Sequence, residues 1–392
     1  MNPYRLEKLT EQIQNRGLDC LALVPGANLF YLTGLHFHLG DRPTVAFFCP
    51  GRPPTLVLPA LEMQKVAHLP NLQTFPWRDE DGFAGAFYKV GVELGLAGKQ
   101  IGVEAFTMRV VEMRLLEKMA RAGRIVPADG AVSALRMRKD PDELSRMRCA
   151  VELAQQAITA TLERFRPGMT ERQIESILKV AMLKTGAHSV SFDPIVSAGP
   201  NSANPHATPT DRPVGVGDFL LFDWGVYVDG YASDITRTFP VAANQMEPEM
   251  RRIYGLVQEA NAAGRAAVKP GVTCSQVDAA ARCVIEAGGY GDHFTHRTGH
   301  GLGLQVHEPP FIVAGNQMML EPGMTFSIEP GIYLPGRNGV RIEDDVVVTE
   351  DGCESLTTFG RDWMPIGEFT TGHFTKTVTQ RAQRRRRDTL RY

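Results

Sequence analysis

The 392-residue chain predicts a two-domain α/β protein whose second domain consists of two related halves. Three observations predict it. The length exceeds what a single ordinary core occupies. Helical and strand patterns alternate through the first ~130 residues. Beyond Lys139, segments then recur at offsets of 103 and 106 residues.

In chain order, residues 4–16 read as an amphipathic helix and Cys20–Val24 as a buried strand. Thr44–Cys49 and Thr55–Leu58 read as strands joined by a Pro/Gly turn, and Ile101–Val103 as another. A helix follows over Thr107–Ala122. No cluster of metal-ligating residue types falls in this part, so residues 1–135 are assigned as an N-terminal α/β domain that is structural or shapes the substrate site.

Asp140-Pro141-Asp142-Glu143 opens the next domain, assigned to residues 140–366. Asp suits the N-cap, Pro the first helical position, and Glu at N3 can reach back to the cap. Leu144, Met147, Val151, Ala154, Ile158 and Phe165 fall along one helical face before Pro167-Gly168 stops it. RPGMTERQI (166–174) then returns as KPGVTCSQV (269–277), so Thr170 with Gln173 and Thr273 with Gln276 each predict a capped helix. Gly186 and Gly288 are expected to end those helices. VGDFLLFDWGVY (216–227) returns as PGMTFSIEPGIY (322–333), aligning Asp223 with Glu329, Gly225 with Gly331 and Tyr227 with Tyr333. Two homologous halves thus place a carboxylate at the same structural point.

Between Asp223 and Asp234, Asp229-Gly230 is a hairpin signal. With that turn, Asp234 faces Gly225 and the two aspartates become diagonal neighbours, roughly 7–8 Å apart at the backbone. Gly225 is expected to leave room for a metal ion. Asp223 (FDWG), Asp234 (SDITRT), His300 (GHGLG), Glu329 (IEPGIY) and Glu343 (RIEDD) form the candidate ligand set. Four carboxylates carry about −4 and two divalent cations about +4, and oxygen donors with one imidazole suit Mn²⁺, Co²⁺ or Zn²⁺ rather than a redox centre. Two such ions roughly 3.5–4 Å apart generate hydroxide at neutral pH and polarise a carbonyl, which is hydrolase chemistry.

Composition narrows the rest. A net charge of −2 argues against nucleic acid as a partner, although residues 381–392 hold six Arg and one Asp and leave 36 basic against 43 acidic side chains elsewhere. That Arg-rich end, part of an extension assigned to residues 367–392, reads as a solvated tail, with a tether to nucleic acid or anionic lipid as the sharper alternative. The six cysteines are scattered without a CxxC pair, which predicts reduced thiols and a cytoplasmic setting. Residues 1–19 lack the apolar run of a signal peptide, and no stretch approaches 18 uninterrupted apolar residues, so no membrane span is expected.

Taken together, the five motifs, with NLFYLTGL (28–35) ahead of them, resemble the M24 metallopeptidases of the "pita-bread" fold, in the branch of Xaa-Pro aminopeptidases and Xaa-Pro dipeptidases (prolidases). The resemblance runs to about Leu356 and is specific through the set; any single motif is weak. It implies a creatinase-like N-terminal domain, a pseudo-two-fold catalytic domain, a homodimer, proline-containing peptides as substrates, and two divalent ions, manganese foremost. It implies that Asp223 holds one metal, that Asp234 and Glu343 bridge both, and that His300 and Glu329 complete the other, with Glu329 as general base. His206 (NPHATP) and His307 (QVHEPP) resemble pocket histidines that stabilise the tetrahedral intermediate or shuttle protons. Tyr333 and Arg341 match positions that orient ligands. Outside this context, a lone loop histidine, a core tyrosine and a solvated strand arginine are the plainer readings.

One departure bears on specificity. Many dipeptidases of this group carry an arginine shortly after the second pocket histidine, suited to a substrate carboxylate. This chain has Phe311 there and no arginine between Glu308 and Gly336, which tilts the expectation towards an aminopeptidase accepting longer peptides. Arg341 or Arg42 could substitute. Two other classes compete: a hydrolase of a small non-peptide amide, as in creatinase-like and ectoine-hydrolase-like relatives, and a non-catalytic binding module such as the histone chaperones of this fold. Intact ligands argue against creatinase-like and chaperone-like forms, both of which have lost them.

Overall fold

A computed structural model describes residues 1–367, so the Arg-rich end lies outside the described residues. The chain divides into two compact units, Met1–Arg138 and the residues from Lys139 onward.

The first unit is a six-stranded mixed sheet flanked by helices. Its elements are α1 (Pro3–Asn15), β1 (Cys20–Leu23), α2 (Ala27–Thr33), β2 (Val45–Phe48), β3 (Thr55–Pro59), α3 (Met63–Val66), β4 (Gln73–Trp77), α4 (Ala84–Glu93), β5 (Gln100–Val103), α5 (Val110–Ala120), β6 (Arg124–Pro127) and α6 (Gly130–Arg136). The strand order is β4-β3-β2-β1-β5-β6, with β1 antiparallel to β2 and parallel to β5. Strands β1 and β2 are buried throughout, which explains why they read as apolar runs rather than alternating ones. Cys20, Val45, Phe47, Phe87, Val90, Ile101 and Leu116 centre the core.

Here the expectation of six reduced thiols is corrected. The register pairing Leu21 with Phe48 sets Cys20 opposite Cys49, and the two form a disulfide across 4.2 Å between Cα atoms. Non-hydrogen-bonded cross-strand pairs approach this closely without any sequence motif, so 29 residues of separation concealed the pair. The cysteine-based reason for a cytoplasmic setting goes with it.

The second unit opens on α7 (Pro141–Arg164), where Asp140 and Glu143 make both bonds of the capping box. Then come α8 (Glu171–Lys184), β7 (Ser189–Val190), β8 (Ile195–Ala198), β9 (Phe219–Trp224), β10 (Val226–Val228), β11 (Tyr231–Ala232), β12 (Ile235–Pro240), α9 (Pro248–Ala267) and α10 (Cys274–Ala287). The last strands are β13 (Gly299–Gly301), β14 (Glu308–Ile312), β15 (Thr325–Ile328), β16 (Gly331–Tyr333), β17 (Gly339–Arg341), β18 (Asp344–Val348) and β19 (Cys353–Ser355). The repeat is physical. Helices α7 and α9 each start at a proline, and α8 and α10 carry the two Thr–Gln capping boxes read from the sequence. Each pair leads into antiparallel sheet, β8-β9-β12 in one half and β14-β13-β15-β18-β19 in the other. Helix α8 is followed by left-handed Gly186, but after α10 it is Gly289 and not Gly288 that takes positive φ. Gly288 is needed instead for packing, since a Cβ there would come within 2.5 Å of Leu256. Among the described residues no helix is long and apolar enough to cross a membrane.

Candidate metal centre

Two hairpins bring the carboxylates together. In the first, β9 runs through Asp223 and continues as β10, the chain turns at Asp229-Gly230 with φ of 48° and 84°, and β11 leads back to Asp234. Positive φ at both turn residues is the geometry that Asp-Gly favours. Ile235 pairs with Trp224 and Thr236 with Asp223, so Asp234 faces Gly225 as the turn implied. The reason for that glycine is different from the one expected. A Cβ on Gly225 would lie 1.9 Å from the Ser233 carbonyl oxygen, so the residue admits close backbone approach rather than a metal ion.

The second hairpin repeats the plan with a longer turn, residues 334–338 between β16 and β17. Ile328 pairs with Asp344 and Gly331 with Arg341, one register that sets Glu329 opposite Glu343. Like charges directly opposed on one face are destabilising unless something cationic lies between them. His300 comes from β13, which pairs with β15.

The donor atoms converge in three overlapping groups, each within 4.8 Å: Asp223, Asp234 and Glu343; His300, Glu329 and Glu343; Asp234, His300 and His307. Asp234 and Glu343 each belong to two of them. His300 Nε2 lies 3.3 Å from Glu329 Oε1 and 3.6 Å from Asp234 Oδ2. All the described groups of this kind fall in the second unit.

Electrostatics identify what the cluster lacks. Burial, then the charges of Glu343, Asp223 and Asp345, hold the Asp234 carboxyl well above the usual carboxylate range. Burial and the charges of Glu329 and Asp223 do the same to Glu343. Burial lifts Glu329 to about 7. The imidazoles move the opposite way: burial lowers His300, His307 and, to about 3, His296, leaving neutral rings with a lone pair to give. Asp223 Oδ2 accepts a 2.6 Å bond from Arg341 Nη2, while Asp223 Oδ1 is buried with no donor. A buried acceptor left bare costs about 1–3 kcal/mol, and a bound cation would satisfy it while offsetting the charge of so acidic a pocket. Arg341 and Asp345 offset each other, so four negative charges still await two divalent cations. The residues fit that pair.

A shell of hydrogen bonds fixes the donors. Thr236 Oγ1 donates to Glu343 Oε2 at 2.6 Å and accepts from Arg341 Nε at 3.0 Å. Ser327 Oγ donates to Glu329 Oε1 at 3.2 Å and accepts from the His300 amide at 3.1 Å. Tyr333 Oη accepts from Arg341 Nη1 at 2.9 Å and meets His296 Nε2 at 2.8 Å. Arg341 Nη1 also donates to the Pro205 carbonyl, beside His206, at 3.2 Å. His307 packs edge-on against His300, ring centroids 4.0 Å apart, and both His206 and His307 are exposed. Thr236, Ser327, His296 and Asp345 were not singled out from sequence, although Thr236, Ser327 and Asp345 lie inside quoted segments: SDITRT, PGMTFSIEPGIY and RIEDD. Of the arginines offered in place of the absent carboxylate anchor, Arg341 is buried with each guanidinium nitrogen bonded within the chain, and Arg42 is engaged by Asp79 at 2.7 Å.

Opposed carboxylates around a bare oxygen, with neutral imidazoles at the edge, define a metallohydrolase of the two-domain pita-bread class. Residues 145–350 match metallopeptidase family M24, and residues 5–138 match the Creatinase/Prolidase N-terminal domain. The chain belongs to metallopeptidase family M24 and is a hydrolase. It is 38% identical over 359 residues to the probable dipeptidase PepE of Mycobacterium bovis, covering 90% of this chain and 93% of that protein. Its fold superposes on dipeptidase PepE from Mycobacterium ulcerans with a TM-score of 0.86 at 37% identity, covering 93% of this chain and 97% of that one. Against a prolidase from Thermococcus sibiricus the TM-score is 0.88 at 34% identity, covering 93% of this chain and all of that one.

Proposed function

We propose that this chain is a dinuclear Xaa-Pro dipeptidase, cleaving the bond between an N-terminal residue and a C-terminal proline. The observation that carries it is the overlap of donor groups built from Asp223, Asp234, His300, Glu329 and Glu343, in which a buried Asp223 oxygen is satisfied by no protein group. Similarity to proteins named dipeptidase and prolidase supports the substrate class. Asp223, Asp234, His300, Glu329 and Glu343 would hold the two ions. Manganese is the metal we assign, with cobalt or zinc the alternatives, and the working state is a homodimer. Two bound ions would lower the pKa of water and polarise the scissile carbonyl.

The chain's own groups do the rest. Glu329 can take a proton at carboxylate oxygen Oε2 while Ser327 holds Oε1, and return it to the leaving proline nitrogen. His206 and His307 line the approach as donors to the developing oxyanion. Arg341 keeps Asp223 aimed, and Tyr333 locks Arg341 to His296. The second reading, an aminopeptidase for longer peptides, is favoured by Phe311 standing where an arginine was sought. Competition between Ala-Pro and Ala-Pro-Ala on manganese-loaded protein, followed by mass spectrometry, separates the two. Ala-Pro is expected to disappear first; preferential release of Ala and Pro-Ala would install the aminopeptidase reading. Inertness towards both would move a small non-peptide amide to the front.

A further inference from the structure

Arg297 stands just ahead of β13, three residues before His300, and its guanidinium carbon lies 4.7 Å from the centroid of the Phe311 ring. Phe311 is the cross-strand partner of His300. Directly opposed residues project from the same face of a sheet, so the ring and the guanidinium above it stand on the metal-centre face. Phe311 is 37% exposed and Arg297 half-buried, which places the pair at the rim.

What distinguishes Arg297 from Arg341, the arginine bonded to Asp223, is its lack of an anion. In this unit Arg237 is held by Asp344, Arg282 by Asp278 and Arg341 by Asp223. Among the described residues Arg297 has no such carboxylate, and the recorded contact of its guanidinium is the Phe311 ring. Stacking on a ring occupies the flat face of the guanidinium and leaves the N–H fork at its edge pointing outward, pre-organised for a planar two-oxygen partner.

We propose that Arg297, seated on Phe311, receives the free C-terminal carboxylate of the substrate and so confines the enzyme to dipeptides. The inference rests on the Xaa-Pro reading above and adds the specificity-determining residue. Position 311 then carries the platform rather than the guanidinium, which arrives from the neighbouring strand. A longer peptide would bring a neutral amide where the fork expects a charge.

The test compares kcat/KM on Ala-Pro and on Ala-Pro amide for wild type, Arg297→Gln, Arg297→Lys and Phe311→Leu. Metal content and Tm are read on each protein. Wild type is expected to prefer the free acid. Arg297→Gln should lower the acid-to-amide ratio by about 10–100-fold, the worth of charge-assisted hydrogen bonds to an ionised group, mainly through KM. Arg297→Lys, charged but without the fork, should fall between, and Phe311→Leu should weaken the ratio with Arg297 still present. An unchanged ratio in Arg297→Gln, or equal losses on both substrates, would overturn the proposal while leaving Xaa-Pro cleavage standing. Wild-type protein that binds two metals and cleaves neither substrate would instead overturn the Xaa-Pro reading, and this inference with it.

Discussion

Asp223 commits one oxygen to Arg341 and leaves the other bare, so its value lies in what it has not bonded within the chain. Removing a carboxylate shared between donor groups should be the most damaging single change. Asp234→Asn is expected to abolish turnover and to lower metal content below two ions per chain by elemental analysis; full activity would overturn the ligand assignment. His307→Ala should keep its metals and lose most of kcat, because the ring packs on His300 at the exposed edge of the cluster. Should it lose metal as well, His307 is a ligand. Tyr333 tests the supporting shell. Burial pushes its phenol up to about 12, so it stays neutral at working pH, bonded to Arg341 and His296. Tyr333→Phe should retain metal and lower kcat by about 10–100-fold, the usual cost of losing a group that orients ligands.

At the scale of elements, each hairpin supplies one carboxylate near the end of its outgoing strand and another just before its return strand. Two-residue and five-residue turns do the same work: residues 229–230 in one half and 334–338 in the other. That the five candidate residues meet was legible because each stands beside turn-forming or backbone-crowding residues along the chain, and because the copy at 322–333 repeats the one at 216–227. The supporting contacts were not. Thr236 reaches Glu343 and Arg341 reaches Asp223 across more than 100 residues of chain, and Arg297 meets Phe311 across a sheet register. Such pairs follow from register, which no local pattern specifies. Gly225 shows the same limit, since its presence was legible and its reason was not. Gly225→Ala would drive a Cβ into the Ser233 carbonyl oxygen and should lower stability by about 2–4 kcal/mol, read as a fall in Tm. An unshifted Tm would mean the hairpin opens there at no cost.

Across the whole molecule, the helix boundaries and the capped repeat were readable, whereas the cysteine chemistry was not. Titration of thiols in denaturant without reductant should find four per chain, Cys149, Cys274, Cys283 and Cys353, with two more released by reductant. The first unit also holds a pH-sensitive group. Glu104 accepts bonds from the Val24 amide and Asn28, yet burial lifts its carboxyl from 4.5 to about 7. Between those values the folded chain keeps a proton that the unfolded chain has lost. Its contribution to stability is therefore full below the lower value and falls away as pH rises through the upper one. Wild-type Tm should decline over that window more steeply than that of Glu104→Gln; parallel curves would show that Glu104 titrates normally. In the second unit, Glu343 donates its amide to Thr236 and accepts from the Thr236 hydroxyl, and Asp345 accepts from the Asp234 amide, so the halves are laced together at the ligands themselves. With Glu343 a ligand as proposed, a chain still emerging from the ribosome would have no working centre until β18 joined β15. A peptidase built this way would stay silent through its own synthesis, and a fragment cut short before residue 343 would be no stray protease.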